Sequence, residues 1–348
     1  MFSFGSVPSL KTLILNWNKR ENISLDTFFN FDTKFYFPEL THLSLVDTGI
    51  THIEINWSEY FPKIEELDVT ENYLVSVDDF LKNLPPTLRS LKMRVMGLTK
   101  LRILNLNLLR SLNLDGNDFH SIKRSNCDEN SLCLENLDSL EYLSLFFCKI
   151  HSIAADAFEK MTKLVHLNII VNEITQISSG TFGHSPSLSH LFINVNPLVD
   201  VSFLGELKNL TSLHMNGIVD SRAMKSLWSL SSLRMIQVLS LGANDISSIP
   251  RRFLDNLQDL RELRLFNNRI SSLSPGSWQK NLKVIDLSKN QITKIEDLHL
   301  SEARSLEYLD LRRNKLVSID PEVRKTLPEN LDLKLYDEYY VNGRRKHN

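Results

Sequence analysis

Apolar residues return along this chain in a fixed order: one aliphatic residue, two polar positions, a second aliphatic, one polar position, a third aliphatic, and shortly afterwards an asparagine followed by another aliphatic. The segments LRELRLFNNRI, LKVIDLSKNQI and LEYLDLRRNKL show it most fully. Written as L-x-x-L-x-L-x-x-N-x-[IL], the pattern starts at Leu10, Leu40, Ile64, Leu88, Leu109, Leu140, Leu164, Leu188, Leu210, Ile236, Leu260, Leu282 and Leu306. Most starts are 22 to 24 residues apart, the exceptions being 30, 21, 31 and 26. Apolar positions 4 and 6 alternate with polar ones, which predicts a short strand with one buried face. Position 9 is asparagine in Asn18, Asn72, Asn117, Asn172, Asn196, Asn244, Asn268, Asn290 and Asn314, where a buried amide can bond the backbone of the turn leaving the strand.

One such unit cannot stay folded alone. It offers about six apolar side chains worth about 1.5–3 kcal/mol each, against about 1–2 kcal/mol of backbone entropy for each of two dozen residues. Stacking buries the faces each unit leaves open. The period and template are those of the leucine-rich repeat. The expected fold is therefore an α/β solenoid of the horseshoe type with a concave parallel β-sheet. It reads as a single domain over 1–348: thirteen repeats from Leu10 to Leu327, a degenerate last repeat over 328–340, and a frayed tail over 341–348. Phe158 and Phe182 share one template position behind the strand and are expected to stack as a spine, with Phe253 and Trp278 near it.

Positions 2, 3, 5, 7 and 8 face out of the strand region, so the sequence reads as a surface map. Most of that wall is charged: Glu65, Glu66, Asp68 and Glu71 in the third unit, Arg89, Lys92 and Arg94 in the fourth, Lys283, Asp286 and Lys289 in the twelfth. Units six to eight differ. They carry Phe146 and Phe147 at positions 7 and 8, Tyr142, His166 and His190 at position 3, Ile170 at position 7 and Phe192 at position 5. Exposed apolar clusters ringed by charge are the usual anatomy of a contact site, which makes these seven residues the expected ligand or partner surface. The competing reading is that a loop or the curvature of the coil buries position 8. His166, His190 and His214 fit solvated imidazoles, a contact sensitive to mild acid, or a metal site; no carboxylate or cysteine is placed to complete the last.

Three cysteines do not make a disulfide framework. Cys148 stands where other units have asparagine, as a buried thiol or a reactive one. Cys127 and Cys133 bracket DENSL inside the longest insertion and either pair in an oxidising compartment or remain free thiols. Loops that leave a repeat commonly carry recognition, so this insertion is a second candidate. Sequons at Asn22, Asn56 and Asn209 are candidate glycosylation sites.

Composition narrows the partners. A formal net charge of -2 gives no global basic field for nucleic acid or anionic membrane, although a local patch is compatible with nucleic acid. No run of eighteen apolar residues spans a membrane, and the first residues do not read as a signal peptide. Gly-rich phosphate loops, H-E-x-x-H and G-x-S-x-G are absent, so neither an enzyme nor a cofactor is expected.

The phenylalanine behind the strand and the 24-residue period resemble the repeat class of animal extracellular receptors. Irregular repeats such as MNGIVDSRAMKSL and the cysteine-bearing insertion resemble a Toll-like receptor ectodomain over Leu10 to about Leu335. The cysteine-rich caps, membrane helix and signalling domain of such receptors are not in this chain, which reads as a fragment. The resemblance implies a pattern-recognition module in the extracellular space or endosomal lumen, binding a protein or microbial ligand on its concave or lateral face and dimerising on it. The alternative is a secreted or cell-surface adhesion scaffold.

Overall fold

A computed structural model describes residues 7–19, 23–25, 37–53, 55–103, 106–218, 220–336, 338–341 and 344–347. The chain divides into two compact units, Met1–Leu188 and Ser189–Asn348.

The first unit carries seven parallel repeat strands, each three residues long: β1 Thr12–Ile14, β2 His42–Ser44, β3 Glu66–Asp68, β4 Ser90–Lys92, β5 Ser111–Asn113, β6 Tyr142–Ser144 and β7 His166–Asn168. Each covers template positions 3 to 5. The register puts one position-4 leucine opposite the next, from Leu43 and Leu67 through Leu91 and Leu112 to Leu143 and Leu167. Those leucines are buried, and so are Leu45, Val69, Met93, Leu114, Leu145 and Ile169 at position 6. Period-2 alternation therefore sends positions 3 and 5 to the opposite face.

The second unit repeats the arrangement with β8 His190–Phe192, β9 Ser212–His214, β10 Val238–Ser240, β11 Glu262–Arg264, β12 Val284–Asp286, β13 Tyr308–Asp310 and β14 Asp332–Lys334. All neighbours are parallel and in the same register. Strand β14 is the degenerate last repeat.

The position-9 asparagines stitch each coil to the one before it. Asn72 donates to the carbonyls of Leu45 and Val69 at 2.7 and 2.9 Å and accepts from the Ile50 N–H at 3.0 Å. Asn117, Asn172, Asn244, Asn268, Asn290 and Asn314 bond the preceding coil in the same way. Buried backbone groups that a short strand leaves over are thereby satisfied.

Behind the strands of the first unit Phe158 and Phe182 stack as expected, with centroids 5.4 Å apart; in the second unit Phe253 and Trp278 are buried. The insertion does more than leave the coil as a loop. Residues Ser131–Leu134 form a buried strand between Leu101–Ile103 and Ser121–Lys123, all parallel, with Ser152–Ile153 beyond. Leu132, Cys133 and Leu134 are too apolar to stay in water, which leaves 124–130 as the part open to solvent. Cys127 and Cys133 are joined as a disulfide with Cα atoms 5.9 Å apart, closing this short segment. Among the described residues no helix is long and apolar enough to cross a membrane.

Candidate ligand-recognition surface

What carries the outward side chains beyond each strand is a recurrent backbone device. Position 8 is left-handed in coil after coil: Trp17, Asp47, Glu71, Val95, Gly116, Phe147 and Val171 in the first unit have φ between 48° and 71°. Val195, Gly217, Ala243, Asn267, Lys289 and Arg313 repeat it in the second unit. A left-handed residue breaks the strand's alternation, so positions 7 and 8 both look outward. Phe146 is 40% exposed and Phe147 54% exposed, with ring centroids 6.3 Å apart. Position 8 is not sealed by curvature here.

A second ladder fixes the same turn and was not anticipated. An acceptor at position 7 of one coil takes the N–H at position 7 of the next and the serine hydroxyl at its position 5. Asp115 Oδ1 accepts from the Phe146 N–H at 2.8 Å and the Ser144 hydroxyl at 2.6 Å. Asn16 does so for Val46 and Ser44, and Asn216 for Gly242 and Ser240. The signal was present in the sequence as Asn or Asp followed one repeat later by a position-5 serine. Below the turn, Asn172 accepts from the N–H groups of Cys148 and Ile150, both at 3.0 Å. The aromatic pair therefore projects from backbone held on both sides.

The other expected site residues fall into their units. In the first, the Tyr142 and His166 rings lie 5.6 Å apart on β6 and β7, and Ile170 is half-buried beside Phe146 in the position-7 column. In the second, Phe192 stacks on His214 at 4.5 Å, and the His190 ring meets the Ser189 hydroxyl at 2.8 Å. Phe266 lies over Gly242, where a Cβ would run into its ring.

The charged wall is largely paired within itself. Glu65 meets Arg89 at 3.5 Å, Glu66 meets His42 at 3.1 Å, Asp68 meets Lys92 at 3.9 Å, and Arg94 meets Asp115 at 3.8 Å. Arg110 faces Glu141 at 3.1 Å, and Lys283 faces Glu307 at 2.7 Å. Exposed pairs of this kind add little stability, but the lysine and arginine partners offset the carboxylates of Glu65, Asp68 and Asp115.

Cys148 is buried. Its thiol donates to the Leu114 carbonyl at 3.3 Å, the link that asparagine makes in other coils, and desolvation pushes its pKa up to about 12. That is the chemistry of an inert thiol. Asn56 and Asn209 are exposed, whereas Asn22 lies outside the described residues. Among the described residues, no three His, Cys, Asp or Glu side chains converge as they would on a metal ion.

Leucine-rich repeat family models match residues 135–198, 259–280 and 280–333. This is a leucine-rich repeat protein. Human Toll-like receptor 5 is 38% identical over 60 residues, a stretch that spans 17% of this chain and 7% of that receptor. The matched stretches cover no more than 24% of the curated relatives' length. Among solved structures, an internalin from Listeria monocytogenes superposes with a TM-score of 0.66 at 23% identity, covering 95% of this chain and 88% of that one. A complex of TLR13 with the RNA ssRNA13 gives 0.65 at 19% identity, over 96% of this chain and 52% of that one. At such identities the likeness is one of fold. The leucine-rich repeat protein resembles a Toll-like receptor ectodomain.

Proposed function

We propose that this leucine-rich repeat protein is a non-catalytic recognition scaffold, the pattern-recognition ectodomain of a Toll-like innate immune receptor or part of one, working in the extracellular space or endosomal lumen. The observation that carries this reading is the exposed Phe146–Phe147 pair, its backbone hydrogen-bonded on both sides, beside the tilted Tyr142–His166 ring pair. Aromatic anchors of this kind are enriched where interfaces draw most of their energy. The Cys127–Cys133 disulfide fits an oxidising compartment. Exposed Asn56 and Asn209 fit glycosylation there, and glycan mass on those asparagines in protein from a secretory host checks it.

A protein ligand is favoured over the RNA that the TLR13 complex contains. Phosphate backbones are held by cations that give up counterions, whereas Arg89, Lys92, Arg94 and Arg110 already face carboxylates. A secreted or cell-surface adhesion scaffold is the second reading; dimerisation on ligand, measured by light scattering, is expected of the receptor reading.

The test is Phe146→Ser with Ile170→Ser. Protein-ligand affinity is expected to fall about tenfold or more per anchor, with Tm within a few degrees of the parent. Unchanged affinity removes this surface from recognition, and a large fall in Tm makes the side chains structural.

A further inference from the structure

Across strands β1 to β4 the outward face of the first unit's sheet holds a cavity of about 180 Å³ that shares no residue with the Phe146 surface. Parallel stacking brings its walls together from four coils: Thr12, His42, Glu66 and Ser90 at position 3, and Ile14, Asp68 and Lys92 at position 5. Strands paired in register carry all of them, so the walls are placed by backbone hydrogen bonds.

The polar groups in the cavity are of both kinds and only partly used. Glu66 gives one oxygen to His42 Nε2 at 3.1 Å, which leaves it the other, and His42 Nδ1 lies 2.7 Å from the Thr41 hydroxyl. Asp68 Oδ1 accepts from the Thr70 N–H at 3.1 Å, while Oδ2 is 3.9 Å from Lys92 Nζ, too long for a hydrogen bond. Among the described residues nothing bonds the Thr12 and Ser90 hydroxyls. A carboxylate or a fully ionised phosphate has no proton to give and would face Glu66 and Asp68. An ammonium or guanidinium has no lone pair to offer and would face Lys92. A hydroxyl both donates and accepts, so it suits acceptors and donors placed side by side.

We infer that this cavity is a binding site for one neutral pyranose ring, either a free sugar or the end of a glycan. The ring's hydroxyls meet Glu66, Asp68, Ser90, Thr12 and Lys92. Its C–H face lies on Ile14, which is 63% exposed and is the one apolar residue at position 5 in the seven described strands of the first unit. The volume is below the about 300–1,000 Å³ of sites for larger ligands, which limits the cavity to a single ring. The inference goes beyond the recognition reading, which rests on coils six and seven.

The probes are the methyl glycosides of glucose, galactose, mannose and N-acetylglucosamine, in saturation-transfer NMR with the whole chain, and an array of immobilised neutral glycans. Glucose 6-phosphate and glucosamine are the charged controls. A neutral sugar is expected to bind at least about tenfold tighter than either control. Ser90→Ala and Thr12→Val should each weaken it about two- to tenfold, and Glu66→Ala about tenfold or more. S90A and T12V remove no bond within the protein, so their Tm should stay within a few degrees of the parent, and they decide the matter if E66A unfolds. Binding to the array alone assigns the ring to a glycan, and binding of the glycosides assigns a free sugar. The site is overturned if no neutral sugar or glycan binds, if a charged control binds as tightly, if S90A and T12V bind like the parent, or if Phe146→Ser abolishes sugar binding. Sugar binding retained in F146S beside unchanged affinity for a protein ligand removes the recognition surface and leaves the cavity standing.

Discussion

Replacing Asn172 with alanine tests the device on which the Phe146 surface depends. Its side chain accepts from the Cys148 and Ile150 N–H groups at 3.0 Å and donates to the carbonyls of Leu145 and Ile169 at 2.9 and 3.0 Å. The residue is buried, so alanine leaves two N–H groups without a partner in a space too apolar to welcome water. A buried unsatisfied donor costs about 1–3 kcal/mol; two give about 2–6 kcal/mol, and carbonyls tolerate the loss of a donor better. Urea unfolding followed by circular dichroism should show a lower midpoint at unchanged m-value. Asn172→Asp sharpens the test. The carboxylate keeps the acceptors but turns negative charge towards two carbonyls, so that variant should be the less stable at neutral pH and recover on acidification, when the protonated acid can donate. A loss below about 1 kcal/mol in the alanine variant would refute the ladder as the element holding the Phe146–Phe147 turn.

Two further expectations concern the cysteines. Because burial raises the Cys148 pKa to about 12 from an ordinary 9.0, the thiol should resist iodoacetamide in the native state and react on unfolding, as mass spectrometry can follow. The sign for stability follows: the unfolded thiol ionises first, so this contribution is intact below about pH 9 and is lost at about 1.4 kcal/mol per pH unit between 9 and 12, a slope that Cys148→Ala should lack. Reducing the Cys127–Cys133 bond should lower stability by about 2–3 kcal/mol on the loop-entropy account, with hydrogen-exchange protection falling first in Ser131–Leu134; equal protection in both redox states would show that the strand's own burial suffices.

The aromatic cluster was legible because positions 7 and 8 follow directly from the phase of the leucines. Phe146, Phe147, Ile170 and Tyr142 stand where that phase puts them. Its neighbourhood was less legible. Arg94 and Asp115 are 21 residues apart and read as separate charges, yet parallel stacking brings them together. Asp115 as the anchor of the Phe146 N–H follows from a contact between coils that no local pattern states. The buried strand Ser131–Leu134 is not legible in the sequence because its pairing partners, Leu101–Ile103 and Ser121–Lys123, belong to two different coils.

By itself the sequence determined the repeat, its phase and which leucines turn inward, since a solenoid's contacts lie within one period and recur at every turn. Only the tertiary structure decided which charges cancel one another, where the inserted strand lodges, and that position 8 turns left-handed with valine and phenylalanine exposed. Each of those depends on the identity of the adjacent coil, and chain spacing does not encode the distance across a stack.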